Sequence, residues 1–190
     1  NRDSLPIMSR HRLFVALRPP QEIRQHLLAI MSGVAGVHWQ SDEQLHITLR
    51  FIGSVDYHQA QDIAAALGSL HASSPELQIS GVGSFDKLGK PNALWAGIAP
   101  AEPLAALHRK INQLLSRVGI APETRAYLPH VTLARMGRSA GPLDGFLAVH
   151  SHLRSPLFHC DHVILYESEM TRSGSAYMPV TRFPLATVPA

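Results

Sequence analysis

A chain of 190 residues with 45% apolar and 16% charged side chains is long enough for one core, or for two small lobes sharing one, and its composition excludes a disordered or coiled-coil protein. Its single cysteine, Cys160, excludes an intrachain disulfide and a cysteine-built zinc cluster and points to a reducing, cytoplasmic setting. Lysine plus arginine exceed aspartate plus glutamate by 17 to 14, and the pI near 9.4 favours anionic ligands, nucleic acid among them.

No apolar run approaches eighteen residues, and Asn1 to Ser9 carry no apolar stretch behind a basic start, so neither a membrane span nor a secretory leader is expected. Residues 1–7 read as an upstream extension or expression remnant, and 8–190 as one bilobal domain. Arg12 to Leu17 (RLFVAL) predicts a strand; Pro19-Pro20 stops it and opens a helix over Glu22 to Ser32. A glycine-bearing loop leads past Trp39 to Gln44 to Ile52 (QLHITLRFI), where alternation and β-branched residues predict a strand ended by Gly53. A helix follows over Asp56 to Leu70, then strands over Leu77 to Phe85 and Asn92 to Ile98 joined by a turn at Gly89-Lys90-Pro91.

Pro100 introduces a third helix, Pro103 to Val118, with Leu104, Leu107, Ile111, Leu114 and Leu115 on one face. Past the breakers Pro122 and Pro129, His130 to Met136 (HVTLARM) repeats the strand pattern. Pro142 to His150 reads as a short helix, and Leu157 to Tyr166 and Ala176 to Leu185 as closing strands.

These segments form a degenerate repeat: LFVALRPP, helix, LHITL in the first half and ALWAGIAP, helix, PHVTL in the second. Two such halves predict an α+β fold of two pseudo-symmetric lobes, each an antiparallel sheet with flanking helices, and an active-site cleft between them. In a strand, residues i and i+2 share a face. His46 therefore stands beside Thr48, and His130 beside Thr132. Facing each other across a cleft, two imidazoles supply a general base and a general acid, and two hydroxyls can hold the oxygens of a phosphorus centre between them.

The chain resembles the two-histidine (2H) phosphoesterases, and within them the bacterial and archaeal RNA 2′,3′-cyclic phosphodiesterases historically called 2′-5′ RNA ligases. The carriers are Arg12 to Pro20, LHITLRFIG (Leu45 to Gly53), Gly81 to Phe85, Leu94-Trp95, HVTLAR (His130 to Arg135) and the terminal Ser168, Gly174, Tyr177 and Phe183 to Leu185. The resemblance implies His46 as the proton donor to the leaving 3′ oxygen and His130 as the base that activates water, with Thr48 and Thr132 holding the phosphate. It also implies that Phe14 stacks on a base, that Arg135 neutralises a phosphate oxygen, and that Tyr177 contacts the ligand. Arg135 lies five residues from His130, so a bulge or strand end near Ala134 is required to turn it into the cleft.

The expected activity is hydrolysis of a 2′,3′-cyclic phosphate on RNA termini or nucleotides to a 2′-phosphomonoester, with no metal or other cofactor, no membrane and no obligate protein partner. The alternatives are 2′-5′ ligation at the same site, or a non-catalytic RNA- or nucleotide-binding module. The pairs His150/His152 and His159/His162 lack a zinc motif's spacing. Gly81-x-Gly83 lacks the third glycine of a dinucleotide fingerprint, so turn or bulge glycines are expected there. Among the arginines Arg10, Arg12, Arg18, Arg50, Arg125, Arg138 and Arg172, Arg50 shares parity with His46 and is expected to reach the cleft.

Overall fold

The computed structural model describes residues 9–187; the expected extension 1–7 lies outside them. The chain runs through β1 (His11–Leu17), α1 (Gln21–Leu28), β2 (Val37–Trp39), β3 (Ile47–Val55), α2 (Tyr57–Leu67) and β4 (Gln78–Lys87). The second half runs through β5 (Lys90–Ala99), α3 (Ala101–Ser116), β6 (His130–Met136), α4 (Asp144–Val149), β7 (His162–Thr171) and β8 (Gly174–Pro184). The helices form where apolar residues recur at helical spacing: α3 buries Leu104, Leu107, Ile111, Leu114 and Leu115, and α1 buries Ile23 and Leu27. Past Leu28 the expected continuation of α1 tightens into i to i+3 turns at Ile30 and Met31. Two strands differ from expectation. β7 starts at His162 rather than Leu157, with Phe158 making only an isolated bridge to Leu77, and β2 falls in what reads as a loop.

The strands make one antiparallel sheet in the order β4-β5-β6-β3-β1-β7-β8, with β2 added against β6. Its two lobes, β4-β5-β6 and β3-β1-β7-β8, meet at a single register pair, Ile47 with Val131. Beyond that pair β3 leaves β6, and β2 takes over the vacated edge through Val37–Met136, His38–Arg135 and Trp39–Ala134. The repeat is present with an exchange: each half lends its third long strand to the other lobe, β4 to β5 and β7 to β1. Neither half can therefore close its sheet alone.

A core of aliphatic side chains fills the helix side of both lobes, with Leu13, Val15, Leu17, Ile47, Leu49, Val131, Leu133 and Leu165 contributed by the strands. Glycines mark the close approaches. Gly53 does not end β3 but lies within it at φ +93, next to a register shift opposite Leu13 and Phe14. Gly97, paired with His130, has no room for a methyl group, because a Cβ there would press on the carbonyl oxygen of Ser80. Gly97→Ala is expected to destabilise by about 1–3 kcal/mol in urea denaturation through overpacking. Gly145→Ala, with open space around it in α4, should cost nothing measurable.

Candidate active site

The junction of the lobes builds the site. Ile47 and Val131 are directly opposed and fully buried, so both point to the core. Alternation then turns His46, Thr48, His130 and Thr132 to the other face. An antiparallel pair has a local two-fold axis through it, and here that axis relates one His-x-Thr to the other. Each histidine is held the same way: Nδ1 of His46 donates to the Gln44 carbonyl at 2.7 Å, and Nδ1 of His130 to the Leu128 carbonyl at 2.8 Å. A carbonyl only accepts, so this bond places the proton on Nδ1 and leaves Nε2 for chemistry. The Thr48 hydroxyl donates to Nε2 of His46 at 3.0 Å.

The turn before His46 is itself fixed. Ser41 and Gln44 form a capping box around the short 3-10 helix Asp42–Gln44. Arg18 Nη1 donates to the carbonyls of Asp42 and Leu45, each at 3.1 Å, so this arginine braces the loop.

Two bulges decide which further side chains reach the cleft. In β6 the register jumps from Leu94–Ala134 to Trp95–Thr132, which leaves Leu133 as an extra residue. Leu133 and Ala134 both turn to the core, and Arg135 returns to the face of His130, lining the cleft as the bulge condition requires. In β3 the register jumps from Val15–Arg50 to Ala16–Thr48, with Leu49 as the extra residue. The same parity change withdraws Arg50, correcting the expectation that it reaches the cleft. Arg50 is 4% exposed and donates to Asn112 Oδ1 at 2.6 Å, to the Ala121 carbonyl and to the Phe51 carbonyl at 3.3 Å. The bulge is pinned from below and beside: His108 Nδ1 donates to the Leu49 carbonyl at 2.5 Å, and Tyr127 donates to the Thr48 carbonyl at 2.9 Å.

Aromatic rings back both imidazoles. Phe14 lies 5.0 Å and Tyr177 5.2 Å from the His46 ring, and Phe85 lies edge-on to His130 at 4.9 Å. Tyr177 lines the cleft. Phe14 does not offer a stacking face: it is 4% exposed, stacked on Tyr166 at 5.1 Å and met by Tyr177 at 5.1 Å. This corrects its expected role as the base platform, because a ring already packed on its neighbours supports His46 instead. The cleft, about 550 Å³, also takes in Arg12, Gln40, Phe51, Arg125, Ser168 and Ser175. Glu167 is on the far face, bonded to His11 Nδ1 at 2.7 Å. Ser168 and Met170 line the cleft, so alternation turns Glu169 away too.

Sequence reasoning missed Phe51, Phe85 and Gln40, and among the arginines it singled out Arg50 where Arg12 and Arg125 line the cleft. A signal for Phe51 was available: it follows His46 by five residues, as Arg135 follows His130, so a bulge required in one repeat unit implies one in the other. Phe85, Arg125 and Gln40 come from other strands and loops, and no local pattern marks them. Among the described residues no group of three or more His, Cys, Asp or Glu is placed to hold a metal ion. His150 packs on Phe146 at 4.6 Å, and His159 bonds to Ser74 at 3.3 Å, both away from the cleft.

Burial lowers the pKa of both imidazoles. His46 is pushed down to about 4, with the Gln44 carbonyl opposing and the charges of His130, Arg135 and Arg18 adding to the fall. His130 is lowered by burial and by Arg135, against the Leu128 carbonyl. Both are neutral at pH 7.

The LigT like phosphoesterase model matches residues 17–95 and 98–177, and the chain belongs to that family. It is 31% identical over 139 residues to a protein of Aeropyrum pernix named RNA 2′,3′-cyclic phosphodiesterase, covering 72% of this chain and 79% of that one. A protein of the same name from Methanocaldococcus jannaschii is 26% identical over 170 residues, covering 87% and 96%. The fold is that of the crystal structure of TT0787 of Thermus thermophilus, with a TM-score of 0.79 at 23% identity over 93% of this chain and 98% of that one.

The His46 shift carries a stability consequence. With a folded pKa of about 4 against an ordinary 6.5, the unfolded chain binds the proton first, so stability held above pH 6.5 is lost as pH falls toward 4. Urea midpoints measured from pH 7 to pH 4 should fall for the wild type and fall less steeply for His46→Asn.

Proposed function

We propose that this protein hydrolyses the terminal 2′,3′-cyclic phosphate of RNA or of a nucleotide to a 2′-phosphomonoester, by acid–base catalysis between His46 and His130. The observation that carries this reading is the pair of His-x-Thr units related by the two-fold through Ile47 and Val131, each imidazole with Nδ1 on a carbonyl and Nε2 turned to the cleft. The relatives' names agree with it.

His130 Nε2 takes a proton from water as the water oxygen bonds to phosphorus in line with O3′. The P–O3′ bond breaks, and protonated His46 Nε2 delivers its proton to O3′. One water is consumed; His130 gains a proton and His46 loses one. Thr48 and Thr132 hydroxyls donate to the non-bridging oxygens, and the Arg135 guanidinium offsets the charge growing there. The assignment of His46 as acid and His130 as base follows the family resemblance; the local two-fold alone leaves the two equivalent.

The phosphodiester also supplies what protonates the acid. Its negative charge favours the imidazolium, so a histidine pKa lowered by burial rises on binding. The falling limb of kcat, which reports the bound state, is therefore expected at higher pH than that of kcat/KM, which reports the free protein. Profiles of both that are flat between pH 5 and 9 would remove the two-histidine mechanism.

Phosphorus NMR of 2′,3′-cyclic AMP incubated with the protein and a chelator tests the reaction. A 2′-monoester is the expected product. A 3′-monoester contradicts the leaving group, and an unchanged diester that nonetheless binds points to a binding module. His46→Ala and His130→Ala should each lower kcat by about 10² to 10⁴-fold while keeping the wild-type circular dichroism.

A further inference from the structure

The cleft does not end at the two histidines. Along the β7–β8 hairpin, Ser168 pairs with Tyr177 and Met170 with Ser175, and alternation puts all four on the face that lines the cleft. The same row runs on to Arg172 and Ser173 in the two-residue turn, where it forms one wall of a second cavity of about 600 Å³. Across from it stand Gln40, Trp39 and His38, the last a register partner of Arg135 and therefore on its face. Gln40, Arg135, Met170, Ser175 and Tyr177 line both cavities, so the two are continuous. The hairpin wall is tied in place: Gln44 Nε2 donates to the Ser175 carbonyl at 2.8 Å, while its Oε1 accepts from the Ser41 N–H at 2.9 Å.

We infer that this outer groove carries the RNA strand on the 5′ side of the reacting nucleotide, with Arg172 holding the first upstream phosphodiester. The inference rests on the phosphodiesterase reading and narrows its substrate from any 2′,3′-cyclic nucleotide to an RNA end. Charge decides between the two ways out of the cleft. The other adjoining cavity, about 660 Å³, sets Asp86 and Glu123 beside Lys87 and Arg125, so its formal charges cancel. The outer groove has Arg135 and Arg172 and no carboxylate in its lining, and a polyanion follows the wall that attracts it. Arg18, Arg24 and Arg109 are each paired with a carboxylate; among the described residues none takes the Arg172 guanidinium, whose planar fork suits a phosphate. Arg172 stands four residues beyond Ser168, about 13 Å along the hairpin, so its charge lies outside the two His-x-Thr pairs, where a neighbouring phosphate passes. Such a contact fixes the strand's register and reads no base.

The test compares adenylyl-(3′→5′)-adenosine 2′,3′-cyclic phosphate with 2′,3′-cyclic AMP, which lacks the upstream phosphodiester. Wild-type kcat/KM should favour the dinucleotide by about 3- to 30-fold, the worth of one partly screened charge-assisted contact, and the ratio should shrink as salt rises. Arg172→Gln should remove most of that preference, and Arg172→Lys, which keeps the charge, should retain most of it. Lys87→Gln, in the other cavity, should leave the ratio as it is. A wild-type ratio near one, a ratio unchanged in Arg172→Gln, or one lowered by Lys87→Gln instead overturns the inference. If the wild type opens neither compound, the hydrolytic reading fails by itself. Calorimetric dissociation constants for adenylyl-(3′→5′)-adenosine 2′-phosphate and for 2′-AMP then decide the groove: a dinucleotide advantage lost in Arg172→Gln upholds it, and one absent from the wild type or kept in the variant overturns it.

Discussion

One antiparallel residue pair carries the architecture of the site. Ile47 and Val131 are the register pair joining the two lobes, and both are fully buried. Because successive residues of an unbroken strand alternate in face, burying this pair obliges the residues on either side of it to face the opposite way. Two histidines and two threonines are thereby delivered to one point by the same force that packs the core. The divergence of β3 from β6 beyond the pair opens the cleft, and β2 covers the edge that would otherwise carry unpaired backbone groups.

The bulges then distribute the neighbouring chemistry. An extra residue in each strand changes parity after the threonine, which sends Arg50 and Ala134 to the core and brings Phe51 and Arg135 to the cleft. A buried arginine needs partners, and β3 finds them in Asn112 and the backbone of the 121 loop. His108 and Tyr127 hold the carbonyls at the bulge, stacking on each other at 4.6 Å with planes 7° apart. These polar side chains beneath the site keep the irregular stretch of β3 in one conformation, and Thr48 with it.

Burial and the proposed function pull on His46 in opposite directions. Burial among aromatic rings keeps its imidazole neutral, while general-acid work needs the imidazolium. In the proposed reaction the phosphodiester anion resolves the conflict, because its charge between the histidines raises the pKa when it arrives.

Much of this was legible in the chain. Hydrophobic periodicity marks the helix faces and most strands. The repeat marks the two-lobe plan, and two His-x-Thr-Leu blocks at matching positions mark the centre, since period-two alternation is a local property of any strand. Strand exchange, the short strand β2 and the fates of Arg50, Phe14 and Phe51 were decided only in the folded molecule. Each depends on a partner distant in sequence: a bulge exists only relative to the strand it is paired with, and the exposure of a ring depends on which rings pack against it. Composition and local pattern determined which side chains could do chemistry on a phosphate; register between strands far apart in the chain decided which of them meet.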